Sequence, residues 1–403
     1  MKINQIKIET PILVAPMAGV TDYPYRKILR DMGAELLFTE MVSAKGLVHG
    51  NKNTKELIEL DKKGYNGVQI FGSDPEIMAE AAFIIERDFK ADLIDINLGC
   101  PAPKIVKNNY GSALMKYPEL TAEIIKSINK AVDLPVTVKM RKGWDKNNIN
   151  VVKIAKICEK SGAKAVSVHG RTREEFYSGK ADWSIIKKIK RELKIPVIGN
   201  GDIFSVEDAE KMFAETNCDG IMLARGIQGN PWLLKRCKAK FAEGIKIENP
   251  KYEDKIKLAI KHLKLAVNYY GEKRAIPLMR KHISWYLKGL PHSTKIRDEI
   301  NRLKSRKKVE KQAAKKIVED EANKEAELRK EYAKIIKNIR RGTANELFGN
   351  NNPSFDRLKQ FKIASQIMEN CRSEDWELHE IQEVAKKVEQ EIGANVSYGY
   401  NFE

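Results

Sequence analysis

The sequence contains no Cys-x-x-Cys pair. Its five cysteines, Cys100, Cys158, Cys218, Cys237 and Cys371, are odd in number and scattered. That removes the usual zinc and dithiol-redox spacings and fits reduced thiols in a cytosol, so no metal is expected. No apolar run is long enough to cross a membrane, and Met1-Lys2-Ile3-Asn4-Gln5 opens no signal-peptide core. The expectation is a soluble, cytoplasmic protein. The first apolar run, ending at Ala15, is not followed by Gly-x-Gly-x-x-Gly, which argues against a dinucleotide-binding doubly wound sheet. Acidic residues are in short supply: 55 Asp and Glu face 73 Lys and Arg, a formal charge of +18 over 403 residues. The surplus suggests a polyanionic partner, nucleic acid before membrane; a lysine-rich bias without function is the plain alternative.

What is present is a steady beat of short apolar runs. They are Ile12–Ala15, Leu36–Thr39, Val68–Phe71, Leu93–Ile96, Val136–Lys139, Ala165–Val168, Val197–Asn200 and Ile221–Ala224. Amphipathic stretches lie between most of them, among them Glu76–Phe89, Glu119–Val132, Val151–Ser161 and Val206–Glu215. Eight β-α units within about 235 residues predict an α/β fold, a (β/α)8 TIM barrel over residues 1–240. The beat then stops. Residues 236–305 read as helical with breaks near Gly271, Pro277 and Gly289, and carry 18 Lys and Arg against 7 Asp and Glu. The positive charge is thus concentrated in one small helical region, 241–305, which points to nucleic acid. Within it, Lys273, Arg274, Arg280, Lys281, Lys288, Lys295 and Arg297 are candidates for phosphate contacts. Tyr269, Tyr270, Trp285 and Tyr286 are spaced as core. Residues 306–403, nearly balanced in charge, read as a helical extension, either a plain solvated appendage or an arm for a protein partner.

Active sites of such barrels lie at the C-terminal ends of the strands, so reactive residues there weigh more than elsewhere. After the fourth run comes Asn97-Leu98-Gly99-Cys100-Pro101. Pro101 stiffens the loop and biases Cys100 toward extended geometry. The thiol is either a small packed hydrophobe or an aimed reagent. Asn200-Gly201-Asp202 and Ala224-Arg225-Gly226 end the last two runs, the usual phosphate site of this architecture. Their glycines serve tight turns alone or a phosphate-bearing cofactor, for which FMN is suitable. Lys139 in the barrel interior asks for an anion and His169 ends the sixth run. Gln69 offers a donor and an acceptor to a pyrimidine edge, and Pro16-Met17-Ala18 an apolar ledge.

These residues carry a family resemblance. Ala15-Pro16-Met17-Ala18-Gly19-Val20-Thr21-Asp22, Gln69-Ile70-Phe71-Gly72, Asn97-Leu98-Gly99-Cys100-Pro101, Val138-Lys139-Met140-Arg141, His169-Gly170-Arg171-Thr172 and Ile198-Gly199-Asn200-Gly201-Asp202 resemble tRNA-dihydrouridine synthases. They occur in order over residues 10–305. The stretch from His169 through Gly179-Lys180-Ala181-Asp182-Trp183, with Gly229-Asn230-Pro231-Trp232, is most similar to the bacterial B-type branch. The resemblance does not reach residues 306–403.

The resemblance implies an FMN-dependent oxidoreductase that uses NADPH or NADH to reduce D-loop uridines of tRNA, with the small helical region, 241–305, gripping the tRNA. Hydride passes from flavin N5 to uridine C6, and Cys100, at the family's general-acid position, gives a proton to C5. It implies Pro16, Met17, Ala18, Gln69, Lys139, His169, Asn200, Gly201, Asp202, Ala224 and Arg225 at the flavin. Asn97 and Arg141 are implied near flavin and target base, with Arg171 and Arg173 at the mouth. Asp202 would repel a phosphate, so ribityl hydroxyls are its expected partners. Two other readings compete. A flavin barrel acting on a small pyrimidine or enone would not need the basic helices, and a catalytically silent RNA-binding barrel would not need Cys100, Lys139, His169 and Arg225 together.

Overall fold

The computed structural model describes residues 1–289 together with Lys308 and Val309; the extension 306–403 and the candidates Lys295 and Arg297 otherwise lie outside them. Two short strands, β1 (Lys2–Ile3) and β2 (Ile6–Lys7), form an antiparallel hairpin. The barrel strands follow: β3 (Ile12–Val14), β4 (Leu36–Phe38), β6 (Tyr65–Phe71), β7 (Leu93–Leu98), β8 (Val136–Arg141), β9 (Ala165–His169), β10 (Val197–Asn200) and β11 (Gly220–Leu223), with a two-residue β5 (Val42–Ser43) added to β6. They pair in parallel in the order β3-β11-β10-β9-β8-β7-β6-β4, which brings β4 back beside β3. The eight runs marked in the sequence are these eight strands.

The barrel strands are mostly apolar because they are covered on both sides, and their polar residues, among them Gln69, Asp95, Asn97, Lys139 and His169, gather in the middle strands and at the C-terminal ends. Outward residues pack under the helices, and Gly199 sits so close to the helix Val206–Thr216 that a Cβ would fall 2.9 Å from Met212 Sδ. Inward residues at the N-terminal ends, Leu13, Leu36, Leu93 and Ile198, pack against Ile3, Ile6 and Ile8 of the hairpin. Each of these three isoleucines is 1% exposed, and burying one contributes about 1.5–3 kcal/mol. The hairpin therefore seals the bottom of the barrel, and any opening must lie at the top.

Helices Tyr252–Tyr270 and Glu272–Tyr286 pack on one another and against the barrel's first helix, Tyr23–Asp31. The expected break at Pro277 does not occur; the helix runs through it. Proline in the second turn removes one backbone hydrogen bond, and the buried face of Ala275, Ile276, Met279, His282, Ile283 and Tyr286 outweighs that loss. Tyr25, His262, His282 and Tyr286 are buried at this junction, with the Tyr25 and His262 rings stacked at 5.2 Å. Burial drives both histidines far below their ordinary pKa, so they pack as neutral rings. Tyr25 donates to Ile227 O, and Tyr270 donates to Asp22 at 3.3 Å. Gly229 has φ +69°, and a Cβ there would collide with the Trp285 backbone, so only glycine lets this loop meet the helix end. No helix among the described residues is long and apolar enough to cross a membrane.

Candidate active site

The open end holds a cavity of about 470 Å³ ringed by the C-terminal ends of the strands. Register explains what it collects. Asn97 pairs with Lys139 across β7 and β8, and Arg141 with His169 across β8 and β9. His169 pairs with Asn200 across β9 and β10, so polar residues that end different strands share one level. The lining includes Pro16, Met17, Ala18, Gln69, Asn97, Cys100, Lys139, Arg141, His169, Asn200, Gly201, Asp202, Ala224 and Arg225. Arg171 and Arg173 are not among the lining residues.

Cys100 stands on a braced loop. Its N–H donates to Asn97 Oδ1 at 2.9 Å and Gly99 N–H to the same oxygen at 3.1 Å. Its carbonyl accepts from Ser112 Oγ at 2.9 Å, and Arg141 Nε donates to Gly99 O at 3.0 Å. Gly111, with φ +61°, lies against the Cys100 backbone where a Cβ would crowd it at 2.9 Å. Burial pushes the thiol's pKa up, against the lowering effect of the Ala102 N–H and the charges of Arg141 and Lys139. The group is held as a neutral thiol, the form that donates a proton.

The opposite side of the mouth is ionic. Asp202 accepts from Arg171 Nη1 and Nη2, both at 2.8 Å, from Arg225 Nη2 at 2.9 Å and from Ala181 N–H at 2.7 Å. Burial alone would raise the pKa of its carboxyl, but these bonds and the two guanidinium charges hold it below the ordinary range. The partners of Asp202 among the described residues are thus two arginines and one backbone N–H. Arg171 is 1% exposed, and its remaining donors go to Ser178 O and Gly179 O. It therefore stands behind Asp202 and does not reach the mouth where the sequence reading put it. Arg173 lies outside the cavity with its guanidinium 4.8 Å from the Trp144 ring centroid.

Between the two sides, Lys139 Nζ donates to Asn200 Oδ1 at 3.3 Å. Burial, then the charge of Arg141, lowers its pKa to about 8. Burial and the surrounding cations push the His169 pKa well below its ordinary value, leaving a neutral ring with one donor and one acceptor nitrogen.

The sequence reading missed part of the lining. Met41, Phe176, Tyr177 and Phe204 also line the cavity. The three aromatics are 37–53% exposed, and the Arg225 guanidinium lies 4.8 Å from the Tyr177 centroid and 5.4 Å from that of Phe204. The available signal was position: Phe176 and Tyr177 follow β9, and Phe204 follows β10, within a few residues of the strand-end motifs.

The comparisons with known proteins bear on this arrangement. The family model described as dihydrouridine synthase (Dus) matches residues 13–326. The chain is 41% identical over 303 residues to the probable tRNA-dihydrouridine synthase of Rickettsia bellii (strain RML369-C), covering 75% of this chain and 93% of that one. It is 40% identical over 302 residues to tRNA-dihydrouridine synthase B of Pasteurella multocida (strain Pm70), covering 75% and 91%. To tRNA-dihydrouridine synthase B of Pseudomonas aeruginosa it is 38% identical over 306 residues, covering 75% and 91%. The chain belongs to the dihydrouridine synthase family, on the side of its bacterial B-type members. Residues 327–403 lie beyond the matched region.

Proposed function

We propose that the protein reduces specific D-loop uridines of tRNA to 5,6-dihydrouridine, with FMN in the barrel-top cavity and NADPH, or NADH, as reductant. The observation that carries this reading is the Cys100 thiol, on a loop braced by Asn97 and Arg141, at the edge of a cavity with surplus positive charge. The donor set fits FMN. Lys139, Arg141 and Arg225 outnumber Asp202 in the lining, which favours an anion. Gln69, Asn97 and the neutral His169 suit the donors and acceptors of an isoalloxazine pyrimidine edge, and Met17, Ala18 and Val20 supply apolar surface. Arg225, beside Gly226 and the Gly201 turn, would take the phosphate, because Arg171 already balances much of the Asp202 charge.

When bound, the flavin supplies the hydride that reduces the uridine C5=C6 bond at C6. The residues of this chain do the rest. The base must leave the tRNA stack to reach the cavity, and the rim aromatics Phe176, Tyr177 and Phe204 offer faces for it. Cys100 donates its thiol proton to C5, a contribution of about 10²–10⁴ in rate. Lys139 stabilises negative charge on the cofactor ring. Lys273, Arg274, Lys281 and Lys288, on the helix Glu272–Tyr286 and just after it, would hold the RNA backbone. Lys281 Nζ lies 2.7 Å from where a Gly19 Cβ would stand, and Gly19 is flanked in the chain by the lining residues Ala18 and Val20. Residues 241–305 are accordingly the RNA-binding part. For 306–403 a protein partner remains the reading to test, by deleting them and checking whether modification sites and levels change.

The test is a dihydrouridine map of tRNA from cells lacking the protein, with the purified protein added back. Loss of particular D-loop dihydrouridines and their restoration is expected; an unchanged map overturns the proposal.

A further inference from the structure

Directly beneath the Cys100 loop, the lining residues Gln69 and Asn97 belong to a line of buried polar side chains whose far members, Asp95 and Thr137, do not line the cavity. Thr137 Oγ1 donates to Asp95 Oδ1 at 2.6 Å, and Gln69 Nε2 donates to Asp95 Oδ2 at 2.6 Å. Asn97 Nδ2 donates to Gln69 Oε1 at 2.8 Å, and Asn97 Oδ1 takes the N–H groups of Gly99 and Cys100. Strand register puts Gln69, Asp95 and Thr137 side by side on β6, β7 and β8. Asp95, Gln69, Thr137 and Asn97 are 2%, 1%, 4% and 8% exposed, and of the four only Gln69 and Asn97 line the cavity.

The two ends of this line differ in kind. Backbone N–H groups can only donate, and Asp95, whose pKa burial raises to about 6, can only accept once it is ionised above that pH. Between them stand two amides, each of which has a donor end and an acceptor end and is free to turn over. With both termini fixed, only one orientation of Gln69 and Asn97 satisfies every bond. We propose that Asp95 is a positioning residue for Cys100: as the acceptor-only end of this chain it sets the orientation of the Gln69 and Asn97 amides, and through Asn97 it fixes the proton-donating loop. The same orientation decides which Gln69 atom faces the cavity. A buried polar chain satisfied at every link is rigid, and one reversed link leaves a buried donor facing a donor. The catalytic meaning rests on the proposed function; the structural claim does not.

Amide hydrogen exchange at Gly99 and Cys100 in the purified full-length protein reads the claim without turnover. Asp95→Asn keeps volume and can still accept from Thr137, so a residue that merely fills space would leave exchange unchanged. The proposal expects protection of these two amides to fall on the order of ten-fold, because position 95 no longer forces Gln69 to point its nitrogen inward. The exchange of termini, Asp95→Asn with Asn97→Asp, rebuilds the chain with Gln69 turned over. Position 95 then donates to Gln69 Oε1, Gln69 Nε2 donates to position 97, and the two backbone N–H groups keep their acceptor. Protection in this double variant should return to within about two-fold of the parent. Unchanged protection in Asp95→Asn overturns the proposal. So does a double variant no better protected than Asp95→Asn, or no better folded where that single variant does not fold.

Discussion

The two sides of the cavity mouth are built on different physics. On the β6–β8 side, Gln69, Asn97 and the neutral Cys100 thiol are held by directional hydrogen bonds that end on the buried Asp95. On the β9–β11 side, Arg171, Asp202 and Arg225 are held by charge. The first arrangement fixes the loop that carries the Cys100 thiol; the second fixes a carboxylate between two guanidinium groups and leaves Arg225 partly exposed, which suits the proposed anion. Placing a neutral acid among cations has a reason: Lys139 and Arg141 pull the thiol toward ionisation, and burial outweighs them.

Variants on the two sides should fail in different ways. Cys100→Ala should retain cofactor and tRNA binding but lose about 10²–10⁴ in dihydrouridine formation; a single-turnover assay with reduced enzyme measures this. Asp202→Asn should cost about 3 kcal/mol of stability by leaving Arg171 buried without its carboxylate, at the lower end of what breaking a buried pair costs because Asp202 is partly solvated. Denaturant unfolding followed by circular dichroism checks it. Arg225→Ala should weaken cofactor binding by about 10–100-fold with little change in stability, since charge-assisted bonds to anions are of that strength; flavin fluorescence titration gives the ratio. The smallest effect is a pH dependence that belongs to Lys139, between the two sides, and not to Arg225. Lys139 titrates near 8 in the free protein, lowered from 10.5 by burial. A bound anion favours its charged form, so cofactor affinity is full below pH 8 and falls above it, by at most about ten-fold per pH unit. Arg225→Ala should keep that pH dependence, and Lys139→Met should abolish it.

Much of this was legible in the sequence because both the barrel and its site rest on local signals. Each strand announces itself as a short apolar run, and each strand end places its own polar residues at the mouth. Even there, β6 begins at Tyr65, three residues before the run at Val68, because Tyr65-Asn66-Gly67 lacks apolar continuity. What escaped was pairing at a distance. Arg171 and Asp202 are 31 residues apart and sit on different loops, so nothing in either motif says that one neutralises the other. Asp95 lay inside the run Leu93–Ile96 without a reading of its own; the role proposed for it rests on Gln69 and Thr137 flanking it across the sheet. The hairpin plug escaped because its strands are two residues long. The histidine pair of the helical region escaped because His262 and His282 lie 20 residues apart, on two helices that meet only in the fold.

The central claim is that the cavity holds a flavin that passes reducing equivalents to tRNA. Absorbance near 450 nm, followed while NADPH and then unmodified tRNA are added anaerobically to the purified protein, tests it most directly. The account predicts a yellow protein that bleaches with NADPH and regains its colour when the tRNA is added. A protein that does not bleach, or that recovers its colour with a small enone but not with tRNA, would contradict it.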